Sequence, residues 1–237
     1  MRKAAFSFIV LALAALAGSP AAAAKPPVIV ELFTAQGCSS CIQASGHVAD
    51  LAEKDGVLPL TFSVDYWDYL GWTDTFARPE FTERQKAYAR RLGVREVYTP
   101  QVVVDGRHQA AGGQAAKVDA LVKQAARAAK DPPDMLYMEN GKIAVGSSRH
   151  RLPGGGEVWL VRYDPRRTQV DVRKGDNKGE TVEERNVVRQ LVRLGRWRGH
   201  ATAFRLPPAD EDGLETVVLV QQSGGGRIVA ALKQPSR

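Results

Sequence analysis

Cys38 and Cys41 are the only cysteines in a chain of 237 residues. Gly37-Cys38-Ser39-Ser40-Cys41 stands between a β-rich run and a stretch of helical spacing. A thiol there feels the positive end of a helix dipole and unpaired backbone N–H groups, which stabilise thiolate. Cys38 is the candidate nucleophile. Two intervening residues let Cys41 approach it within the first helical turn, attack a mixed disulfide at Cys38 and release the product, so Cys41 is the candidate resolving residue. The chemistry is thiol–disulfide exchange. A purely structural role is the alternative, but closing so small a loop contributes only about 2 kcal/mol by chain entropy. His47 and His108 raise a further possibility, a soft copper or zinc site with the two thiolates. His47 lies more than one helical turn beyond Cys41, so an ordinary surface histidine is the competing expectation and no metal ligand is assigned. Neither Gly154-Gly155-Gly156 nor Gly224-Gly225-Gly226 is followed by the helix and lysine a phosphate cradle needs, and no Gly-x-Ser-x-Gly elbow occurs. No cofactor is expected.

The elements that must position the cysteines alternate between strand and helix. Val28 to Phe33 is β-rich, and residues 42–54 carry Ala44, Val48, Leu51 and Ala52 at helical spacing. Leu58 to Val64 reads as a second strand and Arg78 to Leu92 as a second helix, opened by Pro79 and stopped by Gly93. Gln101 to Val104, the turn dipeptide Asp105-Gly106 and Arg107 to Ala110 form a hairpin, and the Ala-rich stretch 114–129 is a third helix. The order is βαβαββα. Asp131-Pro132-Pro133-Asp134 has the composition of a boundary. Beyond it come short strand signals at 136–139, 142–145, 158–163, 169–173, 216–220 and 228–232. Arg185, Arg189, Arg193 and Arg196 fit a helical period, whereas the β-branched residues around them fit a strand. Both readings stay open, as do a solvated face and an anion-binding stripe for the arginines.

These features resemble the thioredoxin superfamily. The carriers are the element order, the Cys-x-x-Cys at the first strand–helix turn, and Thr99-Pro100 before the third strand. The run from Glu31 to Cys41, the segment Val64 to Asp68 and the Thr99-Pro100-Gln101 step are similar to a secreted bacterial family with an N-terminal thioredoxin-like domain and no established function. The resemblance implies that Pro100 is a cis-proline facing the cysteines and that Thr99 binds extended substrate. It implies a buried carboxylate assisting proton transfer, for which Glu31 is the candidate, although its offset differs by one residue and a strand-edge glutamate facing water is the alternative. Tyr66, Trp67, Tyr69 and Trp72 follow the second strand, so Tyr66 and Trp67 are candidate substrate contacts, with a flap covering the core as the other reading. Where thioredoxins carry an aromatic residue before the first cysteine and Gly-Pro between the pair, this chain has Gly37 and Ser39-Ser40. The added hydroxyl donors predict a stabilised thiolate and a more oxidising couple.

Arg2 and Lys3, the largely apolar run from Ala4 to Ala17 and the small residues Ala21 to Ala24 read as a cleaved export signal over 1–24. The run is short of the roughly 20 residues that span a bilayer. Ser19 stands where a lipobox needs cysteine. Removing the leader lowers the formal charge from +7 to +5, suited to weak attraction to anionic envelope surfaces. The expectation is an α/β protein of the periplasm or outside the cell: a thioredoxin-like βαβαββα domain over 25–131, then a smaller, mostly-β, sandwich-like domain over 134–237. Its expected partners are protein or small-molecule thiols and disulfides and a redox partner protein, with no nucleic acid and no membrane span. A metal chaperone using the same cysteines and a binding module with an inert disulfide are the alternatives.

Overall fold

The computed structural model describes residues 25–149 and 152–235; the expected leader over 1–24 lies outside them. At the centre is β1 (Val28–Thr34), every residue of which is buried. It pairs in parallel with β2 (Val57–Ser63) and antiparallel with β3 (Gln101–Val104), which turns back into β4 (His108–Ala111). A strand covered on both faces needs apolar residues at successive positions, which explains the unbroken Val-Ile-Val of β1. Val28, Val30 and Leu32 face a core with Ala44 and Val48 of α1 (Cys41–Asp50) and Val118 and Val122 of α3 (Ala115–Arg127). Ile29 and Phe33 face a second core with Phe81 and Tyr88 of α2 (Pro79–Leu92). Pro79 opens α2, and Gly93 ends it at φ 67°, its N–H donating to the Ala89 carbonyl. Asp105 and Gly106 both have positive φ, 47° and 63°, as the tight hairpin turn requires.

The chain beyond the proline-rich link divides between two sheets. β5 (Met135–Met138), β6 (Lys142–Val145) and β9 (Thr202–Arg205) form a small antiparallel sheet. β7 (Gly156–Asp171), β8 (Thr181–Trp197), β10 (Glu215–Gln222) and β11 (Ile228–Lys233) extend the first sheet to eight strands in the order β11-β10-β7-β8-β2-β1-β3-β4. The junction is β2 to β8, with Thr61 opposite Val187 and the Thr61 hydroxyl donating to the Arg185 carbonyl. Alternation on β10 sends Val217 and Leu219 to the α2 core, and Val218 and Val220 to a third core with Ile143, Val145 and Phe204 of the small sheet. The small sheet and the extended one thus pack as a local sandwich, while the α2 core is shared by residues on both sides of the link. The large sheet curls until its ends meet: the Ile228 N–H donates to the Asp105 carbonyl at 2.8 Å, and α2 lies in the hollow. A Cβ on Gly106 would run into the Gly226 carbonyl, so this closure requires glycine there.

The arginine stretch is strand, with the helical reading overturned. Val182, Val187 and Val188 are buried along β8, whose pairing with β7 spans both strands almost end to end. Arg185, Arg189 and Arg193 are ion-paired with Glu53, Glu211 and Glu157. The signals at 158–163 and 169–173 belong to one long strand, β7. Register shifts between Asp164 and Arg167, with Asn186 at φ 52°, bend the β7–β8 hairpin. Its outer part lies against α1, with Arg167 at 3.6 Å from Asp50 and Arg185 paired with Glu53 just past the helix. Among the described residues no helix is long and apolar enough to cross a membrane.

Candidate functional site

After β1 the chain turns through Gln36 and Gly37, with the Cys38 N–H donating to the Ala35 carbonyl and the Cys41 N–H to the Cys38 carbonyl. α1 begins at Cys41, and Cys38 and Cys41 are joined by a disulfide with Cα atoms 5.4 Å apart. The bridge points inward: Cys38 is 2 % and Cys41 1 % exposed, whereas Ser39 and Ser40 lie on the surface. The Thr99 hydroxyl donates to Cys38 Sγ at 3.3 Å and accepts from the Trp67 indole N–H at 2.7 Å. Ser40 Oγ is 3.5 Å from the same sulfur. The Thr99–Pro100 peptide bond is cis, Pro100 is buried, and the Pro100 carbonyl accepts from the Gly112 N–H. A Cβ on Gly112 would lie 2.9 Å from both the Ala44 and Pro100 Cβ atoms, so glycine lets α1 and the proline step approach. Tyr66 and Trp67 pack against the apolar cluster holding both cysteines. Burial pushes the Tyr66 hydroxyl up to about 12, so it stays protonated at neutral pH.

Gln36, two residues before Cys38, holds this corner together. Its side-chain oxygen accepts from the Trp72 indole and from the Thr75 N–H and hydroxyl. Its N–H donates to Asp74 Oδ2 at 2.7 Å, and its carbonyl accepts from Asn177 Nδ2 at 2.7 Å. Asn177 belongs to the tip of the β7–β8 hairpin, 141 residues away along the chain. Burial raises the Asp74 carboxyl above its ordinary range, opposed by N–H donors from Gln36, Phe76 and Ala77. Glu184, on β8, is 1 % exposed and neither of its carboxyl oxygens has a hydrogen-bond partner among the described residues. Burial, with the Asp74 charge added, pushes it up to about 8.

The structure therefore brings Cys38, Cys41, Thr99, Pro100, Tyr66 and Trp67 to one corner. Glu31 shares the α2-facing side of β1 with Phe33, but its carboxylate takes the Arg84 Nε–H at 2.6 Å and the Tyr88 hydroxyl. Arg84 is itself buried, lies 5.2 to 5.7 Å from the ring centres of Phe62, Tyr88 and Trp159, and donates to Gln221. No hydrogen bond joins Glu31 to a cysteine among the described residues. His47 lies 3.5 Å from Asp119, His108 is exposed on β4, and no three His, Cys, Asp or Glu side chains converge as metal ligands among the described residues. Sequence reasoning missed Gln36, Asp74, Asn177 and Glu184. Gln36 sits within the run already singled out, and Asp74 lies two residues past the aromatic segment; Asn177 and Glu184 carry no pattern of their own.

A family model described as "Protein of unknown function (DUF1223)" matches residues 29–221. Among solved structures, the X-ray structure of a protein from Agrobacterium tumefaciens is similar at 30 % identity and a TM-score of 0.69, over 90 % of this chain and 99 % of that one. No curated protein matches significantly.

Proposed function

The chain belongs to the DUF1223 family, whose function is unknown, and from that premise we propose that it is an exported thiol–disulfide oxidoreductase of thioredoxin-like build acting through Cys38 and Cys41. The observation that carries this reading is the hydroxyl of Thr99 held on Cys38 Sγ, at a disulfide set on the first turn of α1. Two donors near the sulfur and the end of a helix favour thiolate over thiol, which an attacking or leaving Cys38 needs. The order β1-α1-β2-α2-β3-β4-α3, with the disulfide where β1 hands over to α1 and the Thr99 hydroxyl on Cys38, supports the thioredoxin-like assignment. The basic and apolar residues from Arg2 to Ala24 support export.

In the oxidising direction a substrate thiolate attacks Cys38 Sγ. A bond forms between the two sulfurs, the Cys38–Cys41 bond breaks, and Cys41 leaves with its electron pair as thiolate. A second substrate thiolate then attacks the substrate sulfur of this mixed disulfide, giving the substrate disulfide and expelling Cys38 as thiolate. The substrate loses two electrons, the protein gains them, and a partner disulfide of higher potential reoxidises the pair. The reverse sequence reduces a substrate disulfide. Thr99 steadies the Cys38 thiolate, while Tyr66, Trp67 and Pro100 form the wall a substrate meets. Glu31, held by Arg84 and Tyr88, supports α2.

The test is a Cys41→Ser variant, which leaves Cys38 unable to resolve a mixed disulfide, together with the reduction potential of the parent. Trapped partners and a potential between roughly −120 and −270 mV are expected. A couple below about −300 mV with nothing trapped would mean an inert structural disulfide and would overturn the proposal. Thr99→Val should lower the potential by roughly 30 mV or more, because it removes a donor to the thiolate.

A further inference from the structure

Exchange at Cys38 has a steric problem, because the sulfur that must be attacked belongs to a residue only 2 % exposed. In-line attack on a disulfide needs open space behind the sulfur, and the residues around Cys38 leave little. One neighbour is the segment between β2 and α2, residues 65–77. Its Trp67 packs on the cysteine cluster and closes the chain Trp67–Thr99–Cys38. It is tied at both ends, by Asp65, which accepts from the Thr82 hydroxyl of α2, and by Asp74, whose Oδ2 accepts from the Gln36 N–H. Between these ties it carries a single short turn of 3-10 helix over Asp68–Leu70, ended by Gly71 at φ 92°, and Tyr69 stands 80 % exposed. Its middle gives few apolar side chains to the core, so its attachment depends on a few polar contacts.

The second half of the chain supplies some of those contacts. Asn177, at the tip of the β7–β8 hairpin, donates to the carbonyl of Gln36, whose side chain holds Trp72 and Thr75. At the same tip, a Cβ added at Gly175 would come within 3.7 Å of the Trp72 Cβ and 4.0 Å of the Leu70 carbonyl oxygen, so the tip runs close beside the segment. Arg189 of β8 sits over the Phe76 ring at 4.6 Å. Glu184, buried without a partner on the same arm, adds nothing to its hold, and ionising it would weaken the seat.

We propose that residues 65–77 are a lid over the Cys38–Cys41 disulfide and that the hairpin tip at 172–180 is the latch that keeps it shut, so that substrate reaches Cys38 only when the latch lets go. This rests on the exchange reaction proposed above and adds its regulation: the β7–β8 arm of the second half controls access to a thiol site built by the first. A partner that grips the exposed hairpin tip or Tyr69 would open the site as it docks, protecting the disulfide from small thiols until then.

The experiment is the rate at which dithiothreitol reduces the oxidised mature protein. Its thiolate forms a mixed disulfide at Cys38 and expels the Cys41 thiolate; its second thiolate closes the dithiothreitol ring and expels Cys38. Asn177→Ala and Trp67→Phe are each expected to raise the rate constant about tenfold, the equivalent of roughly 1.4 kcal/mol in the opening step. Arg166→Ala, on the same arm but paired only with Asp164, should match the parent. A second readout is size selection: the preference for 2-mercaptoethanol over glutathione should shrink in both the latch variant and the lid variant. A folded Asn177→Ala protein with the parent's rate and the parent's size preference would overturn the lid. These rates are read on the disulfide itself, so a Cys41→Ser protein that traps nothing would defeat the exchange function and leave the lid standing.

Discussion

Two buried carboxylates show how far one residue's surroundings decide its part. Glu31 has a cation, a phenol and full burial, and removing its charge strands Arg84, whose side chain is 4 % exposed and whose guanidinium lies among aromatic rings. Breaking a buried pair from one side costs about 3–5 kcal/mol, so Glu31→Gln should lower the urea midpoint sharply, and Glu31→Gln combined with Arg84→Met should recover part of the loss. Full recovery in the double variant would mean that the pair stabilises nothing. Glu184 is the opposite case. Its folded value of about 8 lies above the ordinary range, so between about 4.5 and 8 the folded state holds a proton that the unfolded chain has lost. Stability from this group is therefore greatest below about pH 4.5, falls by about 1.4 kcal/mol per unit through the window, and levels off above about 8. Glu184→Gln should flatten that slope and leave the protein more stable than the parent at pH 8. Neither environment was legible beforehand: a glutamate among apolar residues reads alike whether an arginine 53 positions away reaches it or nothing does.

Elements with a strong local cause were legible. α2 starts at its proline and stops at its glycine, and the Asp105-Gly106 hairpin takes the positive φ values its dipeptide favours. The cysteines fall where β1 hands over to α1, because an apolar run ending in Gly37 cannot continue as strand into Ser39-Ser40. β8 was ambiguous because its arginine period is an accident of pairing. On a strand Arg185, Arg189 and Arg193 take three separate acids from three parts of the chain, and only the partners show why. The bend that sends the β7–β8 tip to Gln36 depends on register shifts that leave no composition signal. Gly112 tests how tightly the elements around the disulfide are fitted. With a Cβ at 2.9 Å from Ala44 and from Pro100, Gly112→Ala must push α1 and the Thr99–Pro100 step apart. Overpacking of this kind costs typically about 1–3 kcal/mol. The displaced Thr99 hydroxyl should also loosen from Cys38, moving the reduction potential the same way as Thr99→Val. A variant with unchanged stability and potential would show that the corner yields more easily than its contacts imply.

At the scale of the molecule the question is whether residues 25–131 can stand alone, as the composition of the link at 131–134 suggests. Their own strands, β1 to β4, leave β2 as an open edge where β8 now pairs, with unmatched peptide groups along it. The hollow around α2 would lose more. Val161, Tyr163, Val188, Leu191, Val217 and Leu219 all cover the cluster that holds Phe81, Tyr88 and the two cysteines. Arg84 would lose Gln221 and the Trp159 ring, leaving its ion pair with Glu31 at a wet surface. Exposed apolar surface of that extent costs about 25 cal/mol for each Å² returned to water, and a stretch of this size has no reserve to meet it. The 25–131 fragment is therefore expected to lack a cooperative urea transition and to associate, whereas the chain over 25–237 unfolds in one step that carries both regions together. Tryptophan fluorescence separates the two outcomes, since Trp67 and Trp72 report on the disulfide corner and Trp159 and Trp197 on the second half. Coincident transitions in single-tryptophan variants would tie the disulfide corner to the distant strands as one folding unit. A fragment with its own sharp transition would make the link a true boundary, and would leave the hairpin arm as a detachable visitor at a site that is complete without it.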